Sequence, residues 1–259
     1  MQRFTGKTVI VTGSSSGIGE GIARRFAEEG ANVVLNSRSR DDLEKIAQDL
    51  DSDRTLVVEG DVGKREFAKD IIGKTVDRFG GLDVLVNNAG VGAFGMLADA
   101  SDEDIDKVID INVKGVLFFC REAIPHLAKS QGSIINTSSV SGTGGDWTLP
   151  IYNASKGAVT NLTRALALQL GRKGIRVNAV NPSITRSEMT TELTDNDELM
   201  KAFMRRLPLG RIAEPDDIAG PVLFLASDDA CFVTGVNLAV DGGVSASNGQ
   251  PNFMAYRDE

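Results

Sequence analysis

Seven short runs of β-branched and aliphatic residues, separated by helix-length stretches, constrain this chain more than any other feature. They are KTVIVTG (7–13), ANVVLNS (31–37), TLVVEGD (55–61), LDVLVNN (82–88), GSIINTSS (132–139), IRVNAVNP (175–182) and VNLAVDGG (236–243). Continuous apolar runs of this kind suit strands buried on both faces. The stretches between them carry helical periodicity. In GIGEGIARRFAEEG, Ile22, Ala23, Phe26 and Ala27 share one side and the charges the other, and Gly30 supplies a stop. Further helices are expected over roughly 41–50, 64–79, 102–129, 151–171 and 215–226. Strand–helix alternation throughout predicts an α/β fold of three layers, a seven-stranded parallel sheet with helices on both faces.

No Pro/Gly-rich linker or repeat divides the 259 residues, so 1–259 reads as one domain. Residues 185–210 are polar and poor in strand signal, with Met189, Leu193, Leu199, Met200, Phe203 and Met204 at helix-like intervals. The segment follows a strand's carboxyl end, where ligands bind in such sheets, and is expected to be a substrate lid. An ordinary packed helical hairpin is the alternative. Residues 244–259 read as a polar C-terminal tail.

Composition narrows the function classes. A net charge of −8 without a dense Lys/Arg tract argues against nucleic-acid binding. No apolar run approaches a membrane span, and the opening stretch reads as a first strand rather than a signal peptide. Cys120 and Cys231 are expected to be small buried residues of a reducing, cytoplasmic environment. Neither has a metal-like spacing with His126, the single histidine, so no metal site is expected.

The first strand runs into TGSSSGIG, Thr12 to Gly19. Glycines at 13, 17 and 19, between a strand and an amphipathic helix, permit a tight turn and close backbone approach. The helix N-terminus behind them offers free N–H groups and a positive dipole end to a pyrophosphate. Gly13, Ser15, Ser16, Gly17, Ile18 and Gly19 are therefore candidate dinucleotide contacts. The second strand ends in Asn36-Ser37-Arg38, where an NAD-specific site usually carries an acid. A guanidinium binds a 2′-phosphate bidentately, and no carboxylate repels it, so NADP(H) is the expected cofactor, with NAD(H) as the alternative.

The glycine spacing, with NNAG at 87–90 and YNASK at 152–156, resembles the short-chain dehydrogenase/reductase family over nearly the whole chain. The resemblance implies a Rossmann-type sandwich and hydride transfer between a nicotinamide and a carbonyl or carbinol carbon. It implies that Asp61 and Val62 contact adenine and that Asn88, Ala89 and Gly90 line the adenosine ribose. Tyr152 and Lys156, four residues apart, share one helix face, and an ammonium beside a phenol lowers its pKa toward neutral. By the resemblance, Tyr152 is the acid/base and Lys156 its tuner and ribose clamp. Ser139, thirteen residues before the tyrosine, orients the substrate oxygen. Asn112 perturbs its helix and holds a proton-relay water. Pro182, Ser183, Thr185 and Ser187 contact the carboxamide side; here the chain departs from the family's usual Pro-Gly and threonine.

Trp147 and the tail passage DGGVSASNGQPNF resemble the small-diol branch, the acetoin reductases and meso-2,3-butanediol dehydrogenases. That branch usually uses NAD, from which residues 36–38 depart. Val91, Phe94, Ser141, Trp147 and Met189 are the candidate substrate pocket, apolar enough for a small or medium ketone or secondary alcohol. A broad carbonyl reductase and a glucose-type sugar dehydrogenase are the alternatives. A catalytically silent NADP-binding interaction protein is the reading from another class. The resemblance also implies a homotetramer, to which the apolar faces near VLFF and ALALQL are suited.

Overall fold

In the computed structural model, which describes residues 2–250, the seven expected strands form one parallel sheet. They are β1 (Thr8–Thr12), β2 (Asn32–Ser37), β3 (Thr55–Glu59), β4 (Val84–Asn87), β5 (Ser133–Thr137), β6 (Arg176–Pro182) and β7 (Asn237–Val240). Each is shorter than its apolar run, because the ends of the runs turn into loops. The order is β3-β2-β1-β4-β5-β6-β7. The chain builds outward from β1 through β2 to β3, then returns to add β4 on the other side of β1. That reversal opens a crevice at the carboxyl ends of β1 and β4, where ligands bind in sheets of this type.

The two-residue period of the strands distributes their side chains to two separate cores. Val9, Val11, Val33, Leu35, Val84 and Val86 pack on one face under α1 (Gly17–Glu28), α2 (Arg40–Ala47) and α9 (Pro215–Ala226). Ile10, Val34, Leu85, Ile134 and Val177 pack on the other under α3 (Arg65–Phe79), α5 (Val116–Ser130) and α6 (Pro150–Leu170). The α1–α9 contact is tight: a Cβ at Gly21 would come within 2.8 Å of the Pro215 Cβ. In α1, Phe26 is fully buried and meets Phe4 edge-on, with ring centroids 4.8 Å apart.

The single helix expected over 102–129 is wound in three pieces. α4 (Asp102–Ile109) passes into six residues of π-helix, Asp110–Gly115, and then into α5. The wide turn holds Asn112, whose amide bonds the Val91 backbone in both directions, 2.8 Å each way. A side chain drawn sideways into a neighbouring loop is a reason for a local π bulge.

The segment 185–210 is a short 3₁₀ turn followed by α7 (Thr191–Thr194) and α8 (Asp197–Met204). Neither helix buries a residue, although α8 is well capped by Asn196. Its root is fixed: Thr185 is buried and Ser187 packs on the phosphate loop, where a Cβ at Gly17 would come within 2.9 Å of the Ser187 Cβ. Cys120 is buried as expected, with burial pushing its thiol up to about 12. Cys231 is not: it follows the 3₁₀ turn Asp228–Ala230, beside a fully exposed Phe232. Of the polar tail, residues 244–250 are described and begin with a 3₁₀ turn tied to Asp241; the remainder lies outside the described residues. Among the described residues no helix is long and apolar enough to cross a membrane.

Phe26 joins β1, α1 and the N-terminal turn in one core. Replacing it with alanine is expected to lower unfolding free energy by about 3–5 kcal/mol, measured by urea denaturation against wild type.

Candidate active site

The β1–α1 turn is built by close approach. A Cβ at Gly19 would sit 2.0 Å from the Gly13 carbonyl oxygen and 2.5 Å from Asn88 Nδ2. Gly13, at φ +64°, lies so near Ala89 that a Cβ would come within 2.8 Å of its Cα. Polar bonds hold the same junction. Thr12 Oγ1 accepts from the Asn88 and Ala89 N–H groups at 3.0 and 3.1 Å, and Asn88 Nδ2 donates to the Thr12 and Gly13 carbonyls at 3.1 Å. Among the described residues no side chain caps α1, and the Glu20 N–H, bonded to Ser16 O at 3.2 Å, is the first to find an acceptor within the helix. The N–H groups of Gly17, Ile18 and Gly19 therefore stand without intrahelical partners on the wall of a cavity of about 510 Å³.

That cavity runs along the carboxyl ends of the strands. Its lining includes Gly13, Ser15, Ser16, Gly17, Ile18, Gly19, Ser37, Arg38, Asp61, Val62, Asn88, Ala89 and Gly90 at one end. Val91, Ser139, Tyr152, Lys156, Pro182, Ser183 and Met189 line the other, and Ser187 lines the wall beside Gly17 of the phosphate loop. Buried Asn36 also faces it, donating to Val58 O and Gly60 O while its Oδ1 has no partner among the described residues. An uncapped helix N-terminus, a glycine turn that only backbone can fill, and an orphaned amide oxygen fit a dinucleotide. Arg38 is exposed and makes no ion pair with a described residue. Asp42, not singled out in the sequence, shares its end of the cavity. The Lys45 ammonium beside it, then the Ser39 hydroxyl, hold its carboxyl below the usual range. Ser39 and Asp42 form a cap-and-N3 pair, a signal that Ser-Arg-Asp-Asp does carry.

α6 brings Tyr152 and Lys156 to the opposite end. Proline at its first turn starts the helix, and a buried hydrogen-bond chain docks it on the sheet. Asn87 bonds Asn136 at 2.9 Å and Asn136 bonds Thr163 at 2.9 Å, while Ser138 Oγ donates to Lys156 O at 3.0 Å. Lys156 Nζ donates to Thr137 O at 2.8 Å and lies 5.5 Å from the Tyr152 ring centroid. Burial lowers the Lys156 ammonium to about 8. Burial also pushes the Tyr152 phenol up; hydrogen bonding with Ser139 opposes this and the Asp146 carboxylate reinforces it. The expected depression of the phenol by Lys156 is thus not what the protein groups alone produce. The ammonium is spent on the Thr137 carbonyl and is itself weakened by desolvation, so burial dominates.

Asn112 closes the set from behind rather than lining the cavity. Besides Val91 it bonds Ser155 Oγ at 3.0 Å, and a Cβ at Gly90 would stand 3.4 Å from both Asn112 Oδ1 and Lys156 Nζ. Besides Asn112, four expected residues are not brought to the cavity wall. Thr185 is buried with its hydroxyl on Ser183 O, and Ser141 is buried within the 3₁₀ turn after β5. Phe94 and Trp147 stand 60% and 98% exposed on loops whose backbones meet through Gly95 N–H and Thr148 O. Those loops turn outward, which leaves the two rings at the rim. Ile111, Thr137, Ser138 and Glu188 do line the cavity and were not anticipated, because only the folded crossing of strand ends and the root of the 185–210 segment assembles them.

A family model described as Enoyl-(Acyl carrier protein) reductase matches residues 13–245. The chain is 43% identical to the meso-2,3-butanediol dehydrogenase of Serratia marcescens, covering 97% of this chain and 100% of that one. It is 40% identical to the glucose 1-dehydrogenase of Gluconobacter oxydans (strain 621H), covering 94% and 93%. The crystal structure of a short-chain dehydrogenase/reductase, glucose/ribitol dehydrogenase, from Brucella melitensis superposes with a TM-score of 0.90 at 37% identity, covering 93% and 98%. With the seven-stranded parallel sheet and the glycine turn at its switch point, these likenesses make the chain a member of the short-chain dehydrogenase/reductase family, oxidoreductases that act on CH–OH groups with a nicotinamide cofactor.

Proposed function

We propose that this protein is an NADP(H)-preferring dehydrogenase/reductase that interconverts a small secondary alcohol, of the vicinal-diol or hydroxyketone kind, and its ketone. The observation that carries the reading is the meeting of Ser139, Tyr152 and Lys156 on one cavity wall, at the far end from an uncapped helix N-terminus. When bound, the nicotinamide supplies or takes the hydride at the carbinol carbon. The chain's own residues handle the oxygen and its proton. The Tyr152 phenol, protonated at neutral pH as an ordinary phenol is and pushed further up by desolvation, gives its proton to the carbonyl oxygen during reduction and reclaims it during oxidation. The Ser139 hydroxyl donates to the same oxygen and steadies its developing charge. Lys156 holds an ammonium behind the ring. Helices α7 and α8, half-buried on their apolar sides and with no fully buried residue, act as the lid that excludes water, hinged at the anchored Thr185–Ser187 root.

The diol reading is supported by the full-length likeness to the Serratia marcescens enzyme and by Val91 and Met189 on the cavity wall. The likeness to the Gluconobacter oxydans glucose 1-dehydrogenase favours a sugar as second reading. The NADP preference rests on Arg38, exposed at the cavity's edge next to the Ser37 and Ser39 hydroxyls, with Asp42 already paired to Lys45. Exposed Leu117 and Leu168 on α5 and α6 support a homotetramer built through those helices.

Turnover of a panel of diketones, hydroxyketones and sugars with both cofactors, followed by nicotinamide absorbance, tests the substrate class; activity confined to sugars would replace the diol reading. Tyr152→Phe is expected to cut kcat by roughly 10²–10⁴-fold with the cofactor still bound. Arg38→Ala is expected to weaken NADPH by about tenfold or more and NADH little, since one charge-assisted hydrogen bond contributes about 1.5–3 kcal/mol; equal losses would sink the 2′-phosphate assignment. Lys156 has a folded pKa of about 8, below its unfolded value near 10.5, so the folded state is penalised wherever it must hold the proton. Its penalty is full below about pH 8 and fades as pH rises toward 10.5, because the unfolded chain then binds more protons. Lys156→Met is therefore expected to be inactive yet more stable at pH 7, on the order of 1–3 kcal/mol, with the gain shrinking by pH 10 in urea titrations at both pH values.

A further inference from the structure

The residue after Tyr152 has no part in the chemistry described so far. Asn153, in the first turn of α6, directs its amide away from the sheet and into the loop that follows Ser139. Its Nδ2 donates to Ser141 O at 2.8 Å, to Gly144 O at 2.9 Å and to Asp146 Oδ2 at 3.2 Å. Its Oδ1 accepts from the Asp146 N–H at 3.4 Å. Among the described residues, Asn153 is the only side chain outside the loop that hydrogen-bonds residues 144–147. An amide carries two protons, so the three acceptors share them and draw the loop in around one point.

The other end of this chain of bonds is Ser139. The Ser141 N–H donates to Ser139 Oγ at 3.1 Å, and Ser139 starts the 3₁₀ turn Val140–Gly142. The Ser141 peptide is therefore held from both sides, by Asn153 at its carbonyl and by Ser139 at its N–H. Gly142 is pressed onto α6, where a Cβ would come within 2.5 Å of Thr160 Oγ1, so the turn has no room to settle elsewhere. Two hydrogen bonds thus connect the residue beside Tyr152 to the hydroxyl that faces the phenol. The same amide holds Asp146, whose carboxylate acts on the phenol.

We propose that Asn153 is a positioning residue: its amide clamps the 141–146 loop to the turn of α6 that carries Tyr152, and so fixes the Ser139 hydroxyl relative to the phenol. The proposal rests on the reading of Tyr152 and Ser139 as the groups that meet the substrate oxygen. Asn153→Asp tests it with little change of shape. The substitution removes both donors and sets a carboxylate against two carbonyl oxygens and Asp146. Because a misplacement of about 1 Å can cost on the order of 100-fold, kcat is expected to fall roughly ten- to hundredfold. Cofactor affinity, read by nicotinamide fluorescence, is expected to stay within about twofold, since the dinucleotide end of the cavity is untouched.

The decisive comparison is in a Ser139→Ala background, under single-turnover conditions with excess enzyme. With the hydroxyl gone there is nothing for the clamp to place, so adding Asn153→Asp is expected to cost little further. Full additivity of the two losses, or an unchanged kcat in Asn153→Asp alone, would overturn the proposal. Where Asn153→Asp does not fold, Asn153→Ala removes the amide without adding charge and carries the same measurements. Loss of cofactor binding in both would make Asn153 a structural residue and overturn the proposal equally. Full turnover in Tyr152→Phe is a separate outcome: it sinks the reading of Tyr152 and not the clamp geometry.

Discussion

The close approach of the β1–α1 turn to the end of β4 is the constraint on which the rest depends. Gly19 lies against the Gly13 carbonyl and Gly13 against Ala89, with no space for a methyl group at either contact. Thr12 and Asn88 then bond across the gap, each satisfying backbone groups of the other's strand end. The junction does two things at once. It closes the sheet at the point where strand order reverses, and it leaves the first N–H groups of α1 bare on the cavity wall. The N-cap residue, Ser16, leaves the helix uncapped: its hydroxyl donates to Glu188 Oε2 at 3.4 Å rather than accepting from the first turn of α1. Donors denied a partner in this way are what an anionic pyrophosphate requires.

At the other end of the cavity the constraint is electrostatic. A half-buried phenol and a buried ammonium stand side by side, and desolvation opposes the charged form of both. The fold tolerates this because the surroundings are rigid: the Asn87–Asn136–Thr163 chain and the Ser138–Lys156 bond dock α6 on the sheet. Among the described residues Lys156 Nζ has one hydrogen-bond acceptor, the Thr137 carbonyl, and it holds its charge at a cost in stability. Stability is surrendered at the site and recovered in the two cores on either side of the sheet.

Rigidity ends at the mouth. No residue of α7 or α8 is fully buried, Leu193, Leu199, Met200 and Phe203 being half-buried, and the rings of Phe94 and Trp147 are exposed. Elements without fully buried residues are the ones whose displacement breaks the least packing. The Asn153 clamp marks the border between the two regimes. On its inner side Ser139 is fixed; on its outer side the loop carries Trp147 outward.

The alternation of apolar runs and amphipathic stretches determined the seven-stranded parallel sheet, because doubly buried strands and one-sided helices admit few other arrangements. Gly13, Gly17 and Gly19 after the first run, and Tyr152 and Lys156 one turn apart, were equally legible, since each is a local pattern with a local cause. Ser37 and Arg38, expected from their place after the second run to meet a 2′-phosphate, do line the cavity. What the sequence did not carry depends on crossings between distant segments. The π turn at Asn112 exists because its amide reaches Val91, the exposure of Trp147 because the loop after Ser139 is turned outward, and the exposure of Cys231 because a short turn ends α9. The protonation balance of Tyr152 and Lys156 belongs to the same class. Spacing puts an ammonium beside a phenol, but only the packed structure sets how much water each has lost, and here that loss outweighs their proximity.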